Sequence, residues 1–215
     1  MIADFGAFLV RLITGVRVMH GLPEASHGRI YYANHSSHLD FVVIWAALDP
    51  AARRKTRPAA AADYWEKGPL RRWVAERIFR AILIPRGKVT KAEDPIRKMT
   101  AVLDAGEDLI FFPEGTRGDG NRVADFRAGL HALARHRAEA ELRPVYLENL
   151  NRILPKGEFF LVPLMANALF GEACAPLQTG ETKAEFLKRA RLVLLECGGV
   201  AEVEHRTVTT DESGS

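Results

Sequence analysis

The strongest constraint on the fold is a repeated alternation of a short apolar run, a polar loop and a segment with helical periodicity. Arg29 to Ala33 reads as a strand, a histidine-rich loop follows, and an apolar helix is predicted from about Phe41 to Leu48. Arg57 to Ala62 reads as a small-residue strand, Pro69 suits the first turn of a helix running to about Arg80, and Ala81 to Ile84 is an apolar run stopped by Pro85. A helix from about Ala92 to Ala105, stopped by Gly106, leads into a strand over Asp108 to Phe112 that Pro113 ends, and another helix begins near Arg127. Strands over Leu142 to Leu147, Phe159 to Val162 and part of Ala166 to Phe170 precede a helix from Lys183 to Glu196. Such alternation predicts an α/β fold with a mostly parallel central sheet covered by helices. Ligands of such sheets collect at the carboxyl ends of the strands.

A chain of 215 residues, 47% of them hydrophobic, suffices for one buried core and is short for two. Residues 23–203 are therefore expected to form a single domain. Residues 204–215 are polar and are expected to be a disordered tail, since they cannot bury enough apolar area to offset the entropy of ordering. Residues 1–22 hold an amphipathic helix with Ile2, Phe5, Leu9, Leu12, Ile13 and Val16 on one stripe. Asp4, Arg11 and Arg17 make it too polar to span a bilayer, and it lacks the basic start and cleavage site of a secretory signal. A cytosolic protein is expected. The stripe can lie in a membrane interface or pack on the domain, and both readings stay open. Cys174 and Cys197 are far apart and have no zinc-type spacing, so they read as inert thiols, and no metal site is expected.

Charge is segregated. Residues 51–98 hold 14 Lys or Arg against 5 Asp or Glu, although the whole chain carries only +3. A basic face of this kind attracts nucleic acid, anionic lipid headgroups or a phosphorylated small molecule, and its sign does not choose among them.

The densest chemistry lies in Asn34-His35-Ser36-Ser37-His38-Leu39-Asp40, between a predicted strand and helix. A histidine can take a proton from a hydroxyl as it attacks carbon, and a carboxylate on the far ring nitrogen fixes the tautomer. On a regular helix, five positions turn the side chain by roughly 140°, so His35 and Asp40 meet only if a loop bends between them. His38 is a rival base, and Ser36 or Ser37 can be read as nucleophiles. The same loop can also be simple helix capping by Ser37 or Asp40. A second constellation, Phe111 to Gly118, follows another buried-looking strand at the same sheet edge. Gly115 permits a tight turn, Arg117 can grip phosphate, and Glu114 can hold that arginine or accept from a glycerol hydroxyl. Arg86, after the strand that Pro85 stops, can also meet a phosphate.

Together these residues resemble the glycerolipid acyltransferase family, which acylates glycerol phosphate and lysophosphatidate. Its first block, a histidine, four residues and an aspartate, is matched by His35 and Asp40. Its third block, Phe-Pro-Glu-Gly-Thr-Arg, stands unchanged at 112–117. The second block is matched in part, by Ile84 and Arg86, with Arg80 where a glycine is common and Leu83 in place of the aromatic residue. Phe126 to Gly129 resembles the stretch that follows the third block, and Pro144-Val145 the apolar fourth.

The resemblance implies His35 as general base with Asp40 as its partner, and Arg86, Glu114, Gly115, Thr116 and Arg117 as acceptor-binding residues. It implies no acyl-enzyme, which makes Ser36 and Ser37 loop residues. It further implies acyl-CoA or acyl carrier protein as donor co-substrate, no cofactor, and a lysophospholipid acceptor. The location implied is peripheral, on the inner face of the cell membrane. Many membrane-bound relatives carry a longer apolar N-terminus than this one helix. A serine hydrolase would need a Gly-x-Ser-x-Gly elbow and a P-loop enzyme a Gly-x-x-x-x-Gly-Lys run, and neither is present. The competing class is a non-catalytic lipid-headgroup or nucleic-acid binding module built on residues 51–98. The intact base-and-acid pair, His35 with Asp40, argues against that class, and no nucleic-acid partner is expected.

Overall fold

The computed structural model describes residues 2–17, 27–37, 39–85, 94–118, 120, 122–148 and 166–200. Six strands form one sheet: β1 (Arg29–Ala33), β2 (Thr56–Ala61), β3 (Ile82–Ile84), β4 (Asp108–Phe111), β5 (Glu141–Glu148) and β6 (Asn167–Phe170), in spatial order β3-β2-β4-β1-β5-β6. Every neighbouring pair is parallel except β5 and β6. The predicted mostly parallel sheet is thus present, with an antiparallel edge. The predicted strand over Phe159 to Val162 and the tail at 204–215 lie outside the described residues.

All five residues of β1 are buried, which places this strand between two cores. Alternation along it sends Tyr31 and Ala33 to one face and Ile30 and Tyr32 to the other. Over the first face lies α2 (Asp40–Ala47), whose residues are all buried, as a helix apolar on every side requires. Outside it pack α1 (Ile2–Thr14) and a π-helical turn at Val74–Ile78, through Ala7, Ala75 and Phe79. Over the second face lie α6 (Pro95–Asp104), α7 (Gly129–His136) and α8 (Lys183–Cys197). At the amino ends of the strands, Arg29 grips Glu141 bidentately at 2.8 and 3.0 Å, and its amide donates to Asp108 Oδ1 at 2.9 Å. This ties β1 to both of its neighbours.

Several expectations are corrected. α1 ends at Thr14, where Gly15 turns with φ 69°, so Val16 reaches the core from beyond the helix. Its small face, Ala3, Ala7 and Val10, packs inward, whereas Phe5, Phe8 and Leu12 face solvent. The predicted helix from Pro69 to Arg80 divides into α5 (Pro69–Trp73) and the π turn. The helix expected near Arg127 starts at Gly129. Two short helices had no apolar stripe to announce them: α3 (Pro50–Lys55), which Asp49 caps, and α4 (Ala62–Trp65).

Arg80, at the second-block position where glycine is common, has φ 52°, the sole positive φ of a non-glycine among the described residues. Its guanidinium bonds Glu107 and, at 2.7 Å, the Arg54 carbonyl. Arg80→Gly and Arg80→Ala both lose these bonds, but only glycine relieves the left-handed backbone. Arg80→Gly is therefore expected to be the more stable by about 1 kcal/mol, net of the extra freedom glycine gives the unfolded chain. Urea midpoints check this, and equal midpoints would show that the backbone there is unstrained.

Candidate active site

Because β1 and β4 are parallel neighbours with Tyr32 opposite Phe111, the residues three places further on, His35 and Glu114, emerge at the same height. The His35 amide donates to Glu114 Oε1 at 2.7 Å, and the Ala124 amide donates to Oε2 at 2.9 Å. Gly118 N–H returns the tie by donating to the His35 carbonyl at 2.8 Å. Glu114 is 3% exposed, and burial pushes its carboxyl above the ordinary value while the two amides pull the other way. Both its oxygens serve the backbone. The sequence reading left it to Arg117 or a glycerol hydroxyl; the structure makes it a strut between the two loops.

His35 and Asp40 meet. The loop bends before α2, and His35 Nδ1 lies 2.7 Å from Asp40 Oδ2. The same oxygen accepts from the amides of Ser36 at 2.6 Å and Ser37 at 2.9 Å. Asp40 is fully buried in the first turn of α2, where the helix dipole favours an anion. With Nδ1 engaged, Nε2 is the nitrogen left for chemistry. The His35 ring stacks on Phe112 with centroids 4.3 Å apart, which fixes its plane. Ser37 Oγ accepts from the Leu39 amide at 3.2 Å, a turn contact. His38 and Arg86 lie outside the described residues.

A cavity of about 290 Å³ borders His35. Ala59, Ala60 and Ala61 of β2 form one wall, where small side chains leave room, and Ile84, Ile96, Met99 and Phe111 continue it. Among the described residues, its ionisable lining is His35, Tyr64, Arg117 and Arg127. Arg117 is half-buried and Arg127 exposed, and among the described residues neither guanidinium has a protein partner. Gly115 has φ 70°, and a Cβ there would stand 2.9 Å from Arg127 Cδ, so the bare α-carbon is what lets this arginine cross it. Thr116 is exposed beside it. Among the described residues no group of three or more His, Cys, Asp or Glu could hold a metal ion.

The sequence gives Asn34 no role of its own within that loop, yet its side chain pairs with Leu147 of β5 like an extra strand residue, at 2.9 Å to its carbonyl and 2.8 Å from its amide. No local signal announces a partner 113 positions away. Sequence reasoning passed over Arg127, Tyr64 and Trp65 as cavity residues. The Phe-Arg-x-Gly pattern at 126–129 marked the first of these without giving it a role.

An acid-paired histidine beside an apolar cavity that Arg117 and Arg127 also line can deprotonate a hydroxyl on an amphiphilic anion. A family model described as Acyltransferase matches residues 16–148. The chain belongs to the acyltransferase family. Similar members include the lyso-ornithine lipid O-acyltransferase of Rhizobium meliloti (strain 1021), 25% identical over 128 residues, 57% of this chain and 40% of that one. The chloroplastic 1-acyl-sn-glycerol-3-phosphate acyltransferase of Arabidopsis thaliana is 24% identical over 139 residues, 65% of this chain and 37% of that one. This acyltransferase-family chain thus spans about two fifths of the length of these relatives. The crystal structure of the 1-acyl-sn-glycerophosphate acyltransferase PlsC from Thermotoga maritima shares the fold, with a TM-score of 0.69 at 20% identity over 92% of this chain and 78% of that one.

Proposed function

We propose that the protein transfers a fatty acyl group from acyl-CoA or acyl carrier protein to the free hydroxyl of lysophosphatidate or a related lysophospholipid. The observation that carries this reading is the His35–Asp40 pair, 2.7 Å apart, at the border of an apolar cavity that also meets Arg117. His35 Nε2 takes the acceptor's hydroxyl proton as that oxygen attacks the thioester carbonyl. The tetrahedral oxyanion collapses, the carbon–sulfur bond breaks, and the thiolate leaves with the proton from the imidazolium. Asp40 stabilises that imidazolium and holds the tautomer. No acyl-enzyme forms, and Ser37 Oγ serves the turn by accepting from the Leu39 amide. Arg117, joined by Arg86, binds the acceptor's phosphate, while Glu114 and Gly115 set the loop that carries it.

The protein works at the inner face of the cell membrane, held peripherally by α1. No described helix is long and apolar enough to cross a membrane, and α1 turns Phe5 (63% exposed) and Leu12 (70% exposed) outward.

Arg117→Ala is expected to raise KM for lysophosphatidate roughly 10- to 100-fold, the worth of a charge-assisted hydrogen bond, with KM for the thioester nearly unchanged. Steady-state kinetics with each substrate varied in turn would test this, and an equal rise in both constants would contradict the phosphate role. Lyso-ornithine lipid belongs in the same acceptor panel, since relatives are named for it.

A further inference from the structure

From Glu66 to Trp73 the chain presents eight consecutive exposed residues, Glu-Lys-Gly-Pro-Leu-Arg-Arg-Trp, with three cations against one acid. Leu70 is 73% and Trp73 47% exposed. The core does not need them. The π turn that follows fills the inward positions instead, with Ala75 buried and Phe79 edge-on to Trp45 and Phe41 of α2 at 4.9 and 5.1 Å. α1 packs on the same helix, and Arg11 donates to the Ala46 carbonyl at 3.1 Å. The two outward apolar groups, those of α1 and α5, therefore lie over one face of the sheet. α5 also adjoins the cavity: Tyr64 lines it, and the Arg71 guanidinium sits 4.9 Å over the Tyr64 ring.

We infer that residues 67–73 form a second bilayer contact. Leu70 and Trp73 enter the interface, Lys67, Arg71 and Arg72 lie against anionic headgroups, and the Tyr64 side of the cavity is thereby brought to the lipid. A five-residue helix with two protruding apolar side chains offers no groove to seat a folded partner, whereas a bilayer accepts them without shape complementarity. Arg72 is already paired with Glu76 at 2.8 Å, whereas Lys67 is exposed and Arg71, stacked on the Tyr64 ring, keeps the edge of its guanidinium for a headgroup. This contact rests on the reading of the protein as a peripheral membrane enzyme and adds to it a named surface.

The full chain is sedimented with vesicles of phosphatidylcholine and with vesicles that also contain phosphatidylglycerol. Leu70→Ser with Trp73→Ser should partition about ten-fold or more weakly onto the mixed vesicles. Lys67→Gln with Arg71→Gln should lose only the advantage of the anionic lipid. Turnover of a water-soluble short-chain thioester and acceptor should stay at the native level in both variants, which checks that the site is intact. In the native protein, brominated lipid should quench a fluorescence component that Trp73→Phe removes. Unchanged partition with no such quenching would overturn the inference. Retained partition with activity lost only when acyl carrier protein is the donor would also overturn it, in favour of a carrier-docking surface. Vesicle binding is read without turnover, so a failed acyltransferase assay leaves this test standing.

Discussion

In His35→Ala, kcat falls by roughly a thousand-fold, within the span that loss of a general base produces, while the fold survives. The loss is large because His35 carries the one imidazole or carboxylate among the described side chains that line the cavity: Tyr64 offers a phenol, and Arg117 and Arg127 offer guanidinium groups, which have no acceptor. The fold survives because the loop is held mainly by its backbone, through Glu114, Gly118 and Asn34, none of which binds the imidazole. Circular dichroism and a urea unfolding free energy within about 1 kcal/mol of the native protein's check the second half. An unfolded variant would assign the residue to structure instead.

Asp40→Asn isolates charge from geometry. The amides of Ser36 and Ser37 both point at Oδ2, so the asparagine must turn its oxygen to them and to His35 Nδ1. Its NH2 then takes the place of Oδ1, which has no partner among the described residues. The loop and the tautomer persist, and what disappears is the negative charge beside the imidazolium. A fall in kcat of roughly 10²- to 10³-fold with KM little changed is expected, smaller than where such a change also inverts the tautomer. A variant with native kcat would show that Asp40 serves the loop alone.

How far the sequence foretold this site depended on whether the signal was local. Strand β1 and helix α2 were legible because apolar residues fill them on both faces or all round, and the loop between them had to bend for His35 to reach Asp40. The third block was legible as a turn, from Pro113 and Gly115 after a buried strand. Glu114 was read against its neighbour Arg117, but partners across a sheet are set by register, and the β1–β4 register hands it the His35 amide instead. The pairing of Asn34 with Leu147 escaped for the same reason. α3 had an Asp-Pro start, Asp49 accepting from the Ala51 and Ala52 amides, yet its cationic residues gave no stripe to prompt the reading. The outward face of α1 was undecidable, because the same periodicity serves packing and a membrane interface alike.

Thiol release from palmitoyl-CoA by the purified protein tests most directly the proposed acyl transfer to a lysolipid by the His35–Asp40 pair. Release should depend on added lysophosphatidate, vanish in His35→Ala and yield phosphatidate. Release that proceeds equally without an acceptor, or that His35→Ala leaves at the native rate, would contradict it.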